Sequence, residues 1–128
     1  MEILATNDIR ISAEAFYQDK HSEPINGKYL YVYNIHIENK GMYTVQLLRR
    51  HWYIFDSLNG IIEVEGEGVV GQKPILKPGE SHSYSSWCPL SSELGRMDGI
   101  FTMLNVDTND EFEVVIPQFQ LICDSKNN

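Results

Sequence analysis

The stretch GEGVVGQKPILKPG, Gly66 to Gly79, decides between two folds. Its first six residues have the G-x-G-x-x-G spacing of a dinucleotide-binding loop. Such a loop works because a helix follows it, presenting free N–H groups and a positive dipole end to a pyrophosphate. Here Gln72-Lys73-Pro74-Ile75-Leu76-Lys77-Pro78-Gly79 follows instead. Two prolines four residues apart, then a glycine, forbid a regular helix. The motif fails its context, and a Rossmann fold is rejected. The glycines read first as a connection between strands. A sharper reading keeps them as a nest of backbone N–H groups that binds phosphate without a helix.

Working outward, the dominant period is two. Ile9, Ile11, Ala13, Ala15 and Tyr17 fall on one face of a strand over 9–17, and Tyr29, Tyr31, Tyr33, Ile35 and Ile37 on one face over 29–37. Alternating aromatic and β-branched residues mark half-buried strands. Val45 to Asp56 predicts a long strand with Leu48, Trp52 and Ile54 on one side. Further strands are predicted over 61–65, 81–87, 99–106 and 112–122, with Pro117 marking an edge position or a bulge. Asn39-Lys40-Gly41, Asn59-Gly60, Pro78-Gly79 and Asp107 to Asp110 supply turns. Seven strands and no convincing helix predict an all-β sandwich, immunoglobulin-like or fibronectin-type-III-like. The 128 residues fit one domain with a polar tail from about 124.

Composition narrows the function. Hydrophobic residues at 42% suffice for a core without disulfide staples, and Cys88 and Cys123 read as reduced thiols. The net charge of −8 argues against a general nucleic-acid binder, whose footprint is basic. The start MEILATNDIRIS lacks a basic n-region with a long apolar run, so a cytoplasmic protein is expected. No run of about 18 apolar residues predicts a membrane helix.

Several blocks together resemble the ApaG family. They are Tyr29-Leu30-Tyr31-Val32-Tyr33-Asn34-Ile35 with Asn39 and Gly41, Val45-Gln46-Leu47-Leu48-Arg49-Arg50-His51-Trp52, GEGVVG with Pro74, and Pro78-Gly79-Glu80 with Tyr84 and Cys88. Gly99, Met103 and Ile116-Pro117 with Phe119 complete a match over roughly 9–121. Trp87 stands where a small residue is expected, and Arg49 where serine is common. The resemblance implies a fibronectin-type-III-like sandwich and a link to cobalt and magnesium efflux. It brings no catalytic residue.

Candidate chemistry is sparse. His51 is expected to anchor a neighbouring strand opposite Trp52, since no second ligand sits at a metal-site spacing. Glu63, Glu65 and Glu67 share a strand face, and Asp107, Asn109 and Asp110 make an acidic turn; each pattern is more often solvated surface than a cation site. Cys88 lacks the signature of an activated thiol. No metal and no cofactor is expected. The leading expectation is a non-enzymatic module that binds protein partners by a sheet face or edge. The alternative is a sensor of a phosphate-containing ligand, with Gly66, Gly68 and Gly71 as backbone donors and Arg49, Arg50 or Lys73 as charge partners. A flat exposed edge would also permit a homodimer. Tyr31, Tyr33 and Trp87 are the aromatics to inspect as partner surface.

Overall fold

The computed structural model describes residues 1–123, and the polar tail expected from about 124 lies outside the described residues. Nine strands are described: β1 Glu2–Thr6, β2 Ile9–Tyr17, β3 Tyr29–Asn39, β4 Val45–Asp56, β5 Gly60–Glu67, β6 Ile75–Leu76, β7 Ser81–Leu90, β8 Leu94–Asn105 and β9 Asp110–Ile122. All seven expected strands are present. β1 and β6 are additional, and short 3-10 turns occupy the loop before β3.

The strands form two antiparallel sheets packed as a sandwich. One sheet has the order β1-β2-β3-β7, the other β5-β4-β8-β9. The flank of β4 is shared. β5 pairs with residues 49–56, and β6 pairs with Val45 and Gln46. The stretch Gly66 to Pro74 therefore joins two strands that lie along one edge of β4.

The core is built from the inward phases. Ile9, Ile11, Ala13, Tyr31, Ile35 and Ile37 come from the first sheet. Trp52 from the second packs edge-on against Tyr33 (5.3 Å between centroids), Phe119 (6.0 Å) and Phe101 (6.4 Å). These offset geometries suit the quadrupoles of aromatic rings.

Two bulges correct the simple alternation. Between Leu47 and Arg49 the pairing of β4 with β8 slips by one residue. Leu47, not the expected Leu48, is thus wholly buried, while Leu48 is only half-buried. Beyond the bulge the inward phase is Arg50, Trp52, Ile54 and Asp56. The second bulge sets Pro117 and Gln118 of β9 opposite Asp98 alone. Pro117 has no ladder N–H to lose there, and β9 is also an edge strand, so both expectations for this proline hold. On β8 the buried side is Met97, Phe101 and Met103, with Gly99 opposite Trp52.

Candidate functional site

The backbone of the GEGVVG loop is engaged at Gly68, Val69 and Gln72. Gly68 N–H donates to the carbonyl of bulged Leu48 (2.8 Å). Val69 and Gln72 exchange N–H···O bonds of 2.8 and 3.0 Å, with Val70 (φ 48°) and Gly71 (φ 76°) between them. That is a two-residue hairpin turn with both central residues left-handed. Gly66 lies within β5 opposite Arg50. The glycines serve a bulge cap, a tight turn and a close side-chain approach.

The three candidate cations make different contacts. Lys73 Nζ reaches Glu67 (2.8 Å), whose carboxyl it holds below the ordinary range. Arg49 lies on the outer face, 2.7 Å from Glu111, and that carboxylate's hydrogen bond raises the guanidinium's own pKa. Arg50 points between the sheets, and its Nη1 donates to the carbonyls of Glu67 (3.0 Å) and Gly68 (2.9 Å). A shallow outer depression of about 530 Å³ is lined by Arg49, Arg50 and Gly66, and also by Glu65, Glu67 and Glu113. Its acids oppose a phosphate.

His51 behaves as expected of a strand anchor. It faces outward, opposite in phase to Trp52. Nε2 lies 2.9 Å from Glu63 and Nδ1 2.8 Å from Glu65, both on β5, and the ring stacks on Tyr53. Two members of the acidic row are thereby used on His51 and the third on Lys73. Asp107 accepts the Thr44 N–H (2.9 Å), which makes it a turn residue. Among the described residues, no three His, Cys, Asp or Glu side chains cluster to hold a metal ion. Cys88 is buried, and desolvation with the nearby Asp56 charge pushes its thiol up to about 12. Such a thiol is a poor nucleophile.

The more distinctive site lies where the sheets part, between β5 and β7. Each is the last strand of its sheet. The inward side chains Ile62 and Val64 remain 48% and 38% exposed there. With Trp52, Ile54, Met97 and Cys88 they line a cleft of about 340 Å³. Trp87 and Pro89 stand at its rim, and Trp87 is the one inspected aromatic that is exposed, Tyr31 and Tyr33 being buried. Arg50 lines the Tyr33 end. Burial lifts the phenols of Tyr33 and Tyr84 above their ordinary range, against the opposing pull of Arg50's charge. Among the described residues, the indole N–H of buried Trp52 and the hydroxyl of Tyr84 have no hydrogen-bond partner.

The opposite seam differs. There Asn7 Nδ2 donates to Glu113 O (3.0 Å), and Thr6 Oγ1 accepts from Val115 N–H (3.4 Å), so the β1 turn is tied to β9. Among the described residues, no hydrogen bond joins β5 to β7. Sequence reasoning named Arg50 only as a partner of the glycine loop. Its even-numbered phase with Trp52 and Ile54 was the signal that it faces inward.

Known proteins agree with this architecture. A family profile described as the ApaG domain matches residues 19–105. Protein ApaG of Paramagnetospirillum magneticum is 42% identical over 116 residues, covering 91% of this chain and 88% of the relative. Protein ApaG of Brucella canis gives the same identity and coverage. A crystal structure described as the putative ApaA protein from Bordetella pertussis superposes with a TM-score of 0.87 at 37% identity, covering 91% of this chain and 94% of that one. Sequence, fold and the extent of the match agree that this chain belongs to the ApaG family.

Proposed function

We propose that the protein is a non-enzymatic binding module that receives a protein partner at the open β5–β7 seam. One observation carries the reading. Ile62 and Val64 occupy the inward phase of β5, where side chains of a closed sandwich are buried, yet both stay substantially exposed. Inward apolar side chains beside an unpaired strand edge offer both a hydrophobic pocket and a backbone ladder to an incoming segment. Action in the cytoplasm belongs to the same proposal, as does a tie to cobalt and magnesium efflux, which rests on the family resemblance alone. The strand orders β1-β2-β3-β7 and β5-β4-β8-β9 favour the fibronectin-type-III-like form of the sandwich. The phosphate-sensing alternative is not favoured, because Lys73 and Arg49 already face carboxylates.

The test is a photo-crosslinking amino acid placed at Ile62 and, as control, at Ile3 on β1, which is similarly exposed. In cells, discrete adducts from position 62 and none from position 3 are expected. Equal labelling at both positions, or none at 62, would refute the seam as the partner site.

A further inference from the structure

We infer that the β5–β7 cleft is built for the C-terminal end of a partner chain, with its α-carboxylate at Arg50 and large apolar final side chains along Trp52, Ile54, Ile62 and Val64. The inference rests on the reading of this seam as the partner site and names the chemistry of what enters it.

Charge comes first. Arg50 sits on the inward phase of β4 and is only half-buried, in a molecule with a net charge of −8. Among the described residues no carboxylate lies within salt-bridge distance of Arg50. Its Nη1 is held by two carbonyl oxygens, which fix the guanidinium plane over Gly66. Carbonyls orient the group without neutralising it. A half-buried cation without a counter-ion has lost part of its hydration uncompensated, and an arriving carboxylate relieves that cost. Because the guanidinium is already held in place, little of its entropy remains to be lost on binding.

The rest of the cleft is apolar. From Arg50 to Ile54 it runs along five residues of strand, roughly 13 Å at about 3.3 Å per step. Its volume of about 340 Å³ is at the low end of ligand sites. One charged end and one long apolar wall call for a ligand of the same polarity. An amphipathic carboxylate could be a free acid or the end of a polypeptide. The cleft's flanks decide between them. Both are strand edges, whose outward N–H and C=O groups are matched by a peptide backbone and not by a hydrocarbon chain. An internal acidic side chain would carry more polypeptide on both sides of it, whereas a chain end needs room on one side only.

The test is an NMR titration of the intact protein with an acetylated peptide ending in Leu-Val-Leu, as the free acid and as the C-terminal amide, and separately with decanoate. The free acid should saturably shift the Trp52 indole N–H and the Val64 methyl signals. The amide should bind at least about ten-fold more weakly, the loss of one charge-assisted contact. Arg50→Gln should reduce the free acid to the level of the amide. Ile62→Glu, opposite Ile54 at the apolar end of the cleft, should weaken the acid and the amide alike by placing a charge on the apolar wall. Equal binding of acid and amide would overturn the inference, as would silence of both at millimolar peptide. Decanoate binding more tightly than the peptide would overturn the chain-end assignment in favour of a free amphipathic acid. Adducts at position 62 with no carboxylate dependence would leave the partner site standing and remove only the chain-end chemistry.

Discussion

The glycines of GEGVVG share a motif but not a physical role, and alanine substitutions should separate them. At Gly66 an added Cβ would lie 2.7 Å from both terminal nitrogens of Arg50 and 2.8 Å from its Cζ. The guanidinium is the end of a flexible side chain, so it moves rather than the strand. Moving it breaks the contacts to Glu67 O and Gly68 O. Hydrogen bonds from charged donors contribute roughly 1.5–3 kcal/mol, and partial rehydration of Arg50 recovers some of that, so Gly66→Ala should cost about 1–3 kcal/mol. At Gly68 the added Cβ would overlap the carbonyl oxygen of Gln72, which is backbone, at a φ of +64°. Neither atom can swing away, so Gly68→Ala should cost about 2–5 kcal/mol, the roughly 1–3 of an overpacked site added to the roughly 1–2 of a left-handed L-residue. At Gly71 no atom lies within 4 Å of the new Cβ, and only the φ of +76° is strained. Gly71→Ala should cost about 1–2 kcal/mol, the left-handed penalty of an L-residue.

Urea unfolding followed by tryptophan fluorescence measures all three, with an unchanged slope required before midpoints are compared. The order Gly68, then Gly66, then Gly71, with Gly71→Ala leaving the Arg50 side-chain signals unchanged, is the expected result. Gly71→Ala as the most damaging change would refute the reasoning, because a loop organised around a ligand would have been mistaken for one organised around a turn.

The same loop holds a residue that should improve on replacement. Val70, a β-branched residue at φ 48° and 61% exposed, occupies the first central position of the hairpin turn. Val70→Asn creates Asn-Gly, the preferred pair there, and should stabilise by about 1 kcal/mol in the same urea assay. Asp56 accepts from Ser91 N–H (2.7 Å), Ser92 Oγ (2.6 Å) and Leu58 N–H (3.0 Å). Burial alone would raise its carboxyl, but these bonds outweigh it and the native pKa is lowered. Its stabilisation is therefore complete above the unfolded value near 3.9 and lost as pH falls through the lower native value. Asp56→Asn should cost about 2–4 kcal/mol near neutrality and flatten the acid limb of stability against pH, as read by thermal melts. For Cys88, a thiol pushed up to about 12 leaves roughly one molecule in ten thousand as thiolate at pH 8. Iodoacetamide should leave Cys88 unmodified in the folded protein and alkylate it in urea, by peptide mass spectrometry.

Much of the sandwich was legible because one-sided burial imposes period two. Tyr31, Tyr33, Ile35 and Ile37 could lie on one face only if the other met water or a polar neighbour. The additional strands were hidden for physical reasons. β1 carries Ile3 and Leu4 side by side and buries almost nothing, so it exists through its pairing with β2 rather than through a pattern. β6 is two residues between prolines, held by two rungs on β4. The bulge was illegible because Val45-Gln46-Leu47-Leu48 puts a leucine on either phase, and only the slipped pairing with β8 selects Leu47. That same slip brings Leu47, odd-numbered, onto the same inward side as Arg50 and Trp52, which alternation alone keeps in phase. A candidate cation was thus found by sequence while its direction was not, and direction separates a surface phosphate partner from the charged end of a cleft.

An open seam invites a second copy of the chain as readily as a partner, and the outer face of β5 addresses this. Pairing two copies antiparallel along β5, in register about Val64, would set Glu63 of each against Glu65 of the other. Like charges directly opposite are destabilising, and charged edges are a common guard against self-pairing. His51 does not cancel the guard. It contacts both carboxylates from one side, yet Glu63 and Glu65 remain 60% and 72% exposed. The edge therefore stays acidic toward an approaching strand while its inward side stays apolar. Glu63→Gln combined with Glu65→Gln should make the protein self-associate more strongly than the parent in sedimentation velocity. High salt should narrow the difference by screening the parent's charges. Unchanged or weaker association of the double variant would show that these acids do not guard the edge. Increased association would mean that β5 is a pairing surface held open by charge, available to a segment that brings no acidic side chains against it.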